Sequence, residues 1–338
     1  MGMKVLQISP GAGKVQLDAY DKKILFAMAQ NCRTPTSQIA KKVGLSRDAV
    51  RYRISGLEKS GVIQGYRAIV NVTRLGFINV HLLLQLNQPQ ADAEKRIIEK
   101  FKAYPFVRAI IKFNGKYDFE LAIIARDLSE LEGIISQVIE DCGDYLQDYN
   151  LLFITKTFSA KTFPDNFLKA PEQSKPITYE EPKLDQMDYK LLSIIADHAY
   201  LPLQHIAQKL GISADTVKYR MKRLKLSGVI AGFVPVINYD LIDYNVYAIL
   251  LSISGFSEKK EATLLEFLRT NKDILWGVKT IGKYNVLLYI CTSNPDDLVK
   301  TTAELRSYFT QAVRDYETLI NYEEYIFTYF PEAARKMK

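Results

Sequence analysis

Few residues of this 338-residue chain are spaced for bond-making chemistry. Its three histidines, His81, His198 and His205, and its three cysteines, Cys32, Cys142 and Cys291, give no CxxC and no metal-ligand spacing. No Ser-His-Asp or Cys-His constellation can be assembled from them, so no catalytic residue, metal or cofactor is implied. Gly11-Ala12-Gly13-Lys14 is not a phosphate loop, because Ile8 and Val15 stand where glycine and a hydroxyl are required. What is suitably spaced is a set of cations and aromatics. Arg47, Arg51, Tyr52, Arg53 and Ser55 follow Ser46, and Lys218, Tyr219, Arg220, Lys222 and Arg223 follow Ser213. Along one helix, such side chains suit the phosphates and base edges of a duplex.

These residues need a rigid support, and the surrounding pattern supplies one. Asp18 is placed to cap a helix carrying Ile24, Leu25 and Met28 on one face. Thr36 can cap a second helix closed by Gly44, and Ser46 a third that ends at Gly61. Val50, Ile54 and Leu57 form the inward stripe of that third helix, which leaves Arg47, Arg51, Tyr52 and Ser55 outside it. Arg53 borders the stripe and is expected to reach phosphate. Three short helices with a tight corner read as a helix-turn-helix, and Val62–Val70, around Gly65, reads as a wing hairpin carrying Arg67.

The pattern then recurs at an offset of 167 residues. Leu17-Asp18-Ala19-Tyr20-Asp21 returns as Leu184-Asp185-Gln186-Met187-Asp188, Ser60-Gly61-Val62-Ile63 as Ser227-Gly228-Val229-Ile230, and Gly115-Lys116-Tyr117-Asp118 as Gly282-Lys283-Tyr284-Asn285. Behind each helical front, strand and helix signals alternate as βαββαβ, the ferredoxin-like order. The fold class expected is therefore α+β, two copies of a winged helix-turn-helix followed by a ferredoxin-like domain. The boundaries are a leader over 1–16, modules at 17–71 and 72–158, a proline-rich semi-extended linker over 159–183, and modules at 184–238 and 239–330.

Charge is unevenly shared. Residues 18–71 hold ten lysines and arginines against four carboxylates, and residues 185–238 seven against four, whereas the two rear modules are net negative. Cationic excess confined to the helical fronts favours a polyanion, since each neutralised phosphate releases counterions. Arg47 has Ala214 as its counterpart, and Arg67 stands against Val234 and Pro235, so the two fronts should prefer different bases. No run approaches the roughly 20 apolar residues of a membrane span, and Met1–Pro10 is not built like a secretory signal. A cytoplasmic, nucleoid-associated location is expected.

Leu-Asp-x-x-Asp, Ile-Ala-x-x-x-Gly-Leu/Ile-Ser, Ser-Gly-Val-Ile and Gly-x-Tyr-Asp together resemble the Lrp/AsnC, or feast/famine, transcriptional regulators, over nearly the whole chain and twice. The resemblance implies a winged helix-turn-helix joined to a ferredoxin-like RAM domain, dimerisation by packing two such sheets together, and higher homo-oligomers. It also implies an amino acid or other small effector near Gly115, Tyr117 and Asp118, matched by Gly282, Tyr284 and Asn285, with Asp118 pairing a ligand ammonium. Fusion of the two units departs from the usual single-unit chain. A linker of about 25 residues puts one rear module at millimolar concentration for the other, so one chain is expected to supply both readers as a pseudo-dimer on double-stranded DNA.

Two further classes share these features. Siroheme decarboxylases resemble fused Lrp-like units, and are expected to carry histidine and arginine along the second strand of the rear module. Here those strands read Arg108-Ala109-Ile110-Ile111-Lys112-Phe113 and Trp276-Gly277-Val278-Lys279-Thr280-Ile281, without histidine. A non-specific architectural protein that coats or bends DNA would use the same cationic fronts.

Overall fold

The computed structural model describes residues 13–168 and 180–336. Most of the expected leader, residues 1–12, and linker residues 169–179 lie outside the described residues, as do 337 and 338. Copy one runs α1 (Ala19–Gln30), α2 (Thr36–Val43), α3 (Arg47–Lys59), β1 (Ile63–Val70), β2 (Ile78–Leu86), α4 (Ala91–Ala103), β3 (Val107–Asn114), β4 (Phe119–Ala125), α5 (Leu128–Cys142) and β5 (Leu146–Ala160). Copy two repeats the order as α6 (Gln186–Asp197), α7 (Leu203–Leu210), α8 (Ala214–Leu226), β6 (Ile230–Ile237), β7 (Asn245–Ile253), α9 (Glu258–Thr270), β8 (Ile274–Gly282), β9 (Val286–Thr292), α10 (Pro295–Phe309) and β10 (Val313–Phe327).

Local chemistry sets the helix ends. The Asp18 carboxylate accepts from the Tyr20 and Asp21 N–H groups while that of Asp21 accepts from the Asp18 N–H, a reciprocal capping box that Asp185 and Asp188 repeat. Ser46 and Ser213 accept from the Ala49 and Thr216 N–H groups at the starts of α3 and α8. Gly44 and Gly211, at φ 73° and 67°, end α2 and α7 in the left-handed region. Thr36 is not a cap. It is the first residue of α2, and Pro35 precedes it without a side-chain cap.

The chain divides into two compact units, each drawn from both copies. One holds the two helix-turn-helix modules, from residues 13–77, 180–242 and 328–336 among those described. The expected wing hairpins are absent from it. Each copy gives a single strand, and β1 pairs antiparallel with β6, Tyr66 opposite Pro235, Arg67 opposite Val234 and Ala68 opposite Phe233. Gly65 does not turn the chain back; it sits at a shift in this register. The junction is reciprocal, since the Cys32 N–H donates to the Phe233 carbonyl and the Ala199 N–H to the Tyr66 carbonyl, at 2.9 and 3.0 Å. Arg33 reaches the carbonyl of Leu201 at 3.0 Å, and the Tyr66 and Tyr200 rings stack 4.7 Å apart. Near the C-terminus Phe330 is buried, and Arg335 pairs with Asp197 at 2.7 Å.

The other unit is a closed eight-stranded barrel in the order β10-β3-β4-β2-β5-β8-β9-β7. Each copy contributes a ferredoxin-like sheet, β3-β4-β2-β5 and β8-β9-β7-β10. The two sheets come together, as the resemblance implied, in one closed barrel. They meet edge to edge, β5 on β8 and β10 on β3, so ladder hydrogen bonds satisfy edges that would otherwise be exposed. Helices cover the sheets. Leu264, Phe267 and Leu268 of α9 and Leu305 and Phe309 of α10 bury against Ile249, Val286 and Leu288. Each such side chain contributes roughly 1.5–3 kcal/mol. The described start of the linker is not semi-extended either. Phe163 and Phe167 are buried and stack 4.1 Å apart, and the Lys161 N–H donates to the Leu275 carbonyl. Among the described residues no helix is long and apolar enough to cross a membrane.

Candidate nucleic-acid interface

On α3, burial of Val50, Ile54 and Leu57 fixes the rotation of the helix. Arg47 and Arg51 then project with more than half of their side chains exposed (61% and 63%), and Tyr52 is 82% exposed. Ser55 is half-buried. Asp48 stands 4.0 Å from Arg47 and 3.8 Å from Arg51, pairs open enough to water to cost an incoming phosphate little. On α8, burial of Val217, Met221 and Leu224 leaves Lys218, Tyr219 and Lys222 exposed. A planar aromatic beside two cations therefore recurs on both helices. Sequence reasoning counted Lys41 and Lys42 only as net charge, yet both are exposed in the last turn of α2. Their signal was the alternation with buried Ile39, Ala40 and Val43.

Three arginines expected on DNA, Arg53 among them on phosphate, have partners within the protein. Arg53 Nη1 lies 2.7 Å from both Asp18 and Asp21, and Arg220 Nη1 lies 2.8 Å from Asp185 and Asp188. Arg223 bonds the second oxygen of Asp188, a carboxylate with no exposed surface. These pairs brace the third helix of each module against the capping box of its first, and they correct the expectation that Arg53, Arg220 and Arg223 face DNA. The Asp21 N–H lowers the Asp18 carboxyl below its ordinary 3.8, against burial and with help from Arg53. Burial pushes Asp185 upward, but the Arg220 guanidinium and the Asp188 N–H outweigh it and hold the carboxyl low. The signal was present: both copies keep the two carboxylates and an arginine 35 residues beyond the cap. Arg67 is corrected as well. On β1 it is half-buried with Nη1 enclosed, because the strand it occupies is paired rather than a free wing.

The two turns expected to hold an effector lie in the barrel unit, where their side chains have internal roles. Gly115 and Gly282, at φ 151° and 155°, pass close to the last strand of the opposite copy. A Cβ on Gly115 would meet Leu319 Cδ2 at 2.8 Å, and one on Gly282 would meet the Leu151 carbonyl oxygen at 2.2 Å. Tyr117 and Tyr284 are fully buried edge to face, ring centres 6.4 Å and hydroxyls 3.4 Å apart, and Asn150 donates to the Tyr117 hydroxyl. Asp118 accepts from the Leu86 N–H at 2.6 Å, and burial pushes its carboxyl upward. Asn285 does the corresponding work, accepting from the Ile253 N–H and donating to the Ile253 carbonyl. One oxygen of the Asp118 carboxyl therefore ties the turn before β4 to β2.

Comparison with known proteins agrees with this geometry. The winged helix-turn-helix DNA-binding family matches residues 17–64 and 184–231. The HTH-type transcriptional regulator LrpA of Pyrococcus horikoshii is 37% identical over 123 residues, 36% of this chain and 86% of that protein. The proline dehydrogenase transcriptional activator of Rhodobacter capsulatus is 34% identical over 126 residues, 36% of this chain and 79% of that protein. The crystal structure of the siroheme decarboxylase NirDL aligns over 94% of this chain and 96% of its own with a TM-score of 0.63 and 16% identity, a likeness of fold.

Proposed function

Because the chain belongs to the Lrp/AsnC family of DNA-binding transcriptional regulators, as two of its units fused in tandem, we propose that a single chain acts as a pseudo-dimer and reads an asymmetric DNA site with two unlike helices. Arg47, Arg51 and Tyr52 form one reader; Lys218, Tyr219 and Lys222 form the other. The observation that carries the reading is their exposure on the third helix of modules joined through β1 and β6. Arg47 adds a base-edge cation that Ala214 cannot, so α3 specifies and α8 chiefly grips backbone. Arg47→Ala and Lys218→Ala, profiled on a randomised duplex library, should weaken different half-sites, with sedimentation giving one chain per duplex. Equal effects on both half-sites, or an obligate dimer with like domains paired, would refute the proposal.

The side chains of the turns expected to hold an effector are engaged within the barrel, and the proposal is made on DNA alone. It also assigns the chain no catalysis. His81 is buried, Nδ1 2.7 Å from Glu120 and the ring stacked on Trp276, while β3 and β8 carry no histidine. Added siroheme should leave its absorbance spectrum unchanged; a shifted porphyrin band would revive the decarboxylase reading. Against a DNA-coating role, affinity on selected and random duplexes across a salt series should keep a large specificity ratio.

A further inference from the structure

The barrel is two-fold in its backbone and one-sided in the polar groups it buries. Glu120 on β4, 1% exposed, receives a hydrogen bond from the Tyr289 hydroxyl on β9 at 2.8 Å, while its other oxygen lies 2.7 Å from His81 Nδ1 on β2. His81 stacks on Trp276 of β8 with centroids 5.4 Å apart, and Trp276 packs on Tyr289 at 5.7 Å. Two of these groups come from copy one and two from copy two. At the 167-residue offset, the partners of His81 and Glu120 are Ala248 and Leu287, and those of Trp276 and Tyr289 are Ala109 and Ala122. All four counterparts are small or apolar, and all are buried. One half of the duplicated arrangement is thus a polar and aromatic cluster and the other half is aliphatic.

This division penalises pairing between identical modules. If copy one closed a barrel with a second copy one, His81 and Glu120 would meet Ala109 and Ala122 on both sides. A carboxyl and an imidazole would then be buried without the phenol, beside voids where two large rings belong. If copy two met copy two, Trp276 and Tyr289 would face Ala248 and Leu287, and the phenol would be buried with no acceptor. An unpartnered buried polar group loses the hydration it had before pairing and gains nothing in return. Only the mixed pairing gives the Glu120 carboxyl its phenol donor and sets a large ring beside His81, in the way that a single polar core residue selects partners in coiled coils.

We infer that the His81–Glu120–Tyr289–Trp276 cluster is the partner-selecting element of the barrel, admitting copy one against copy two and excluding a second copy of either. The inference rests on the reading that one chain pairs its own two halves. A linker favours pairing within a chain, which is always unlike, by local concentration alone; the cluster adds a penalty on like modules that meet between chains.

The test keeps the full-length chain, so that tethering is constant. The set His81→Ala, Ala109→Trp, Glu120→Leu and Ala122→Tyr gives copy one the interior of copy two. The set Ala248→His, Trp276→Ala, Leu287→Glu and Tyr289→Ala does the reverse. Either set alone should lower Tm by on the order of 10 °C. Both together, which move the complete cluster to the opposite side, should recover most of the loss. Full stability of either set alone, or no recovery in the combined chain, overturns the inference. A smaller cycle guards against gross misfolding: Glu120→Gln with Tyr289→Phe should cost little more than either alone, and strictly additive losses also count against the cluster. The parent reading is checked separately with Lys156→Cys and Lys279→Cys, which face each other across β5 and β8. A short thiol crosslinker should join them within one chain; crosslinks between chains would sink the one-chain pairing whatever the stability cycle shows.

Discussion

Lys218 and Arg220 lie two positions apart on α8, yet their loss should be felt by different measurements. Arg220 Nη1 is 2.8 Å from Asp188, whose side chain has no exposed surface, and 2.8 Å from Asp185, which is half exposed. Stranding a buried carboxylate costs about 3–5 kcal/mol, but Arg223 would still hold Asp188, so Arg220→Gln should destabilise by about 2 kcal/mol. Lys218 is exposed, and Lys218→Gln should change stability by no more than about 0.5 kcal/mol. On DNA the order reverses. Removing one phosphate contact lowers the salt slope by about 0.9, so over a fourfold rise in salt Lys218→Gln should lose about 3.5-fold less affinity than the parent. Arg220→Gln should keep the parental slope. Denaturant titration and fluorescence anisotropy on one duplex, from about 0.05 to 0.2 M salt, read both quantities. A shallower salt slope for Arg220→Gln with unchanged stability would mean that its guanidinium sits on phosphate, and the brace argument would fail.

Gly282→Ala should be far more damaging than Gly115→Ala, because its Cβ meets the Leu151 carbonyl at 2.2 Å whereas that of Gly115 meets the movable end of Leu319. Losses of roughly 3 and 1–2 kcal/mol are expected from thermal melts, and equal losses would refute the assignment of close approach. The Asp18 carboxyl is held low by the Asp21 N–H first, with burial opposing and Arg53 assisting, so its stabilisation is complete above 3.8 and disappears as pH falls through the lower folded value. Asp18→Asn should therefore flatten helix loss by circular dichroism as pH falls below 3.8. Ala214→Arg should strengthen binding and make the two half-sites more alike in a library selection; an unchanged profile would show that position 214 does not reach base edges.

Much of the fold was legible because its cues are local. The Val50-Ile54-Leu57 stripe, the Ser46 cap and Gly44 all act within one turn of the helix they define, and the strand and helix order of each rear module followed from periodicity alone. What was hidden is what depends on residues far along the chain. Val62–Val70 looked like a hairpin because its composition is that of a β-strand, and composition does not say which strand satisfies its edge; the partner, β6, belongs to the other copy. Closure of the barrel was hidden for the same reason, since β5 and β10 look the same whether their edges meet a neighbour or water. The site was half legible. Helical spacing separated Arg47 and Arg51 from the core stripe, but at the border position of Arg53 and Arg220 a carboxylate on another helix decides the outcome.

The duplication also shows which of these features tolerate divergence. Both copies retain the capping box with its arginine, and a tyrosine at 117 and 284, where each group contacts its own module or its own counterpart. Asp118 and Asn285 differ in charge but share an oxygen that accepts from a strand N–H, and Asn285 adds a bond to the Ile253 carbonyl that a carboxylate cannot donate. Some of the divergence falls where two unlike surfaces are useful: Arg47 against Ala214 on the readers, and His81 with Glu120 against Ala248 with Leu287 inside the barrel. A homodimer cannot vary one of these positions without varying its symmetry mate. A fused chain can, and an interior that rejects like pairing would preserve the asymmetry of the readers, since a dimer of swapped like halves would present two copies of the same reader instead of one of each.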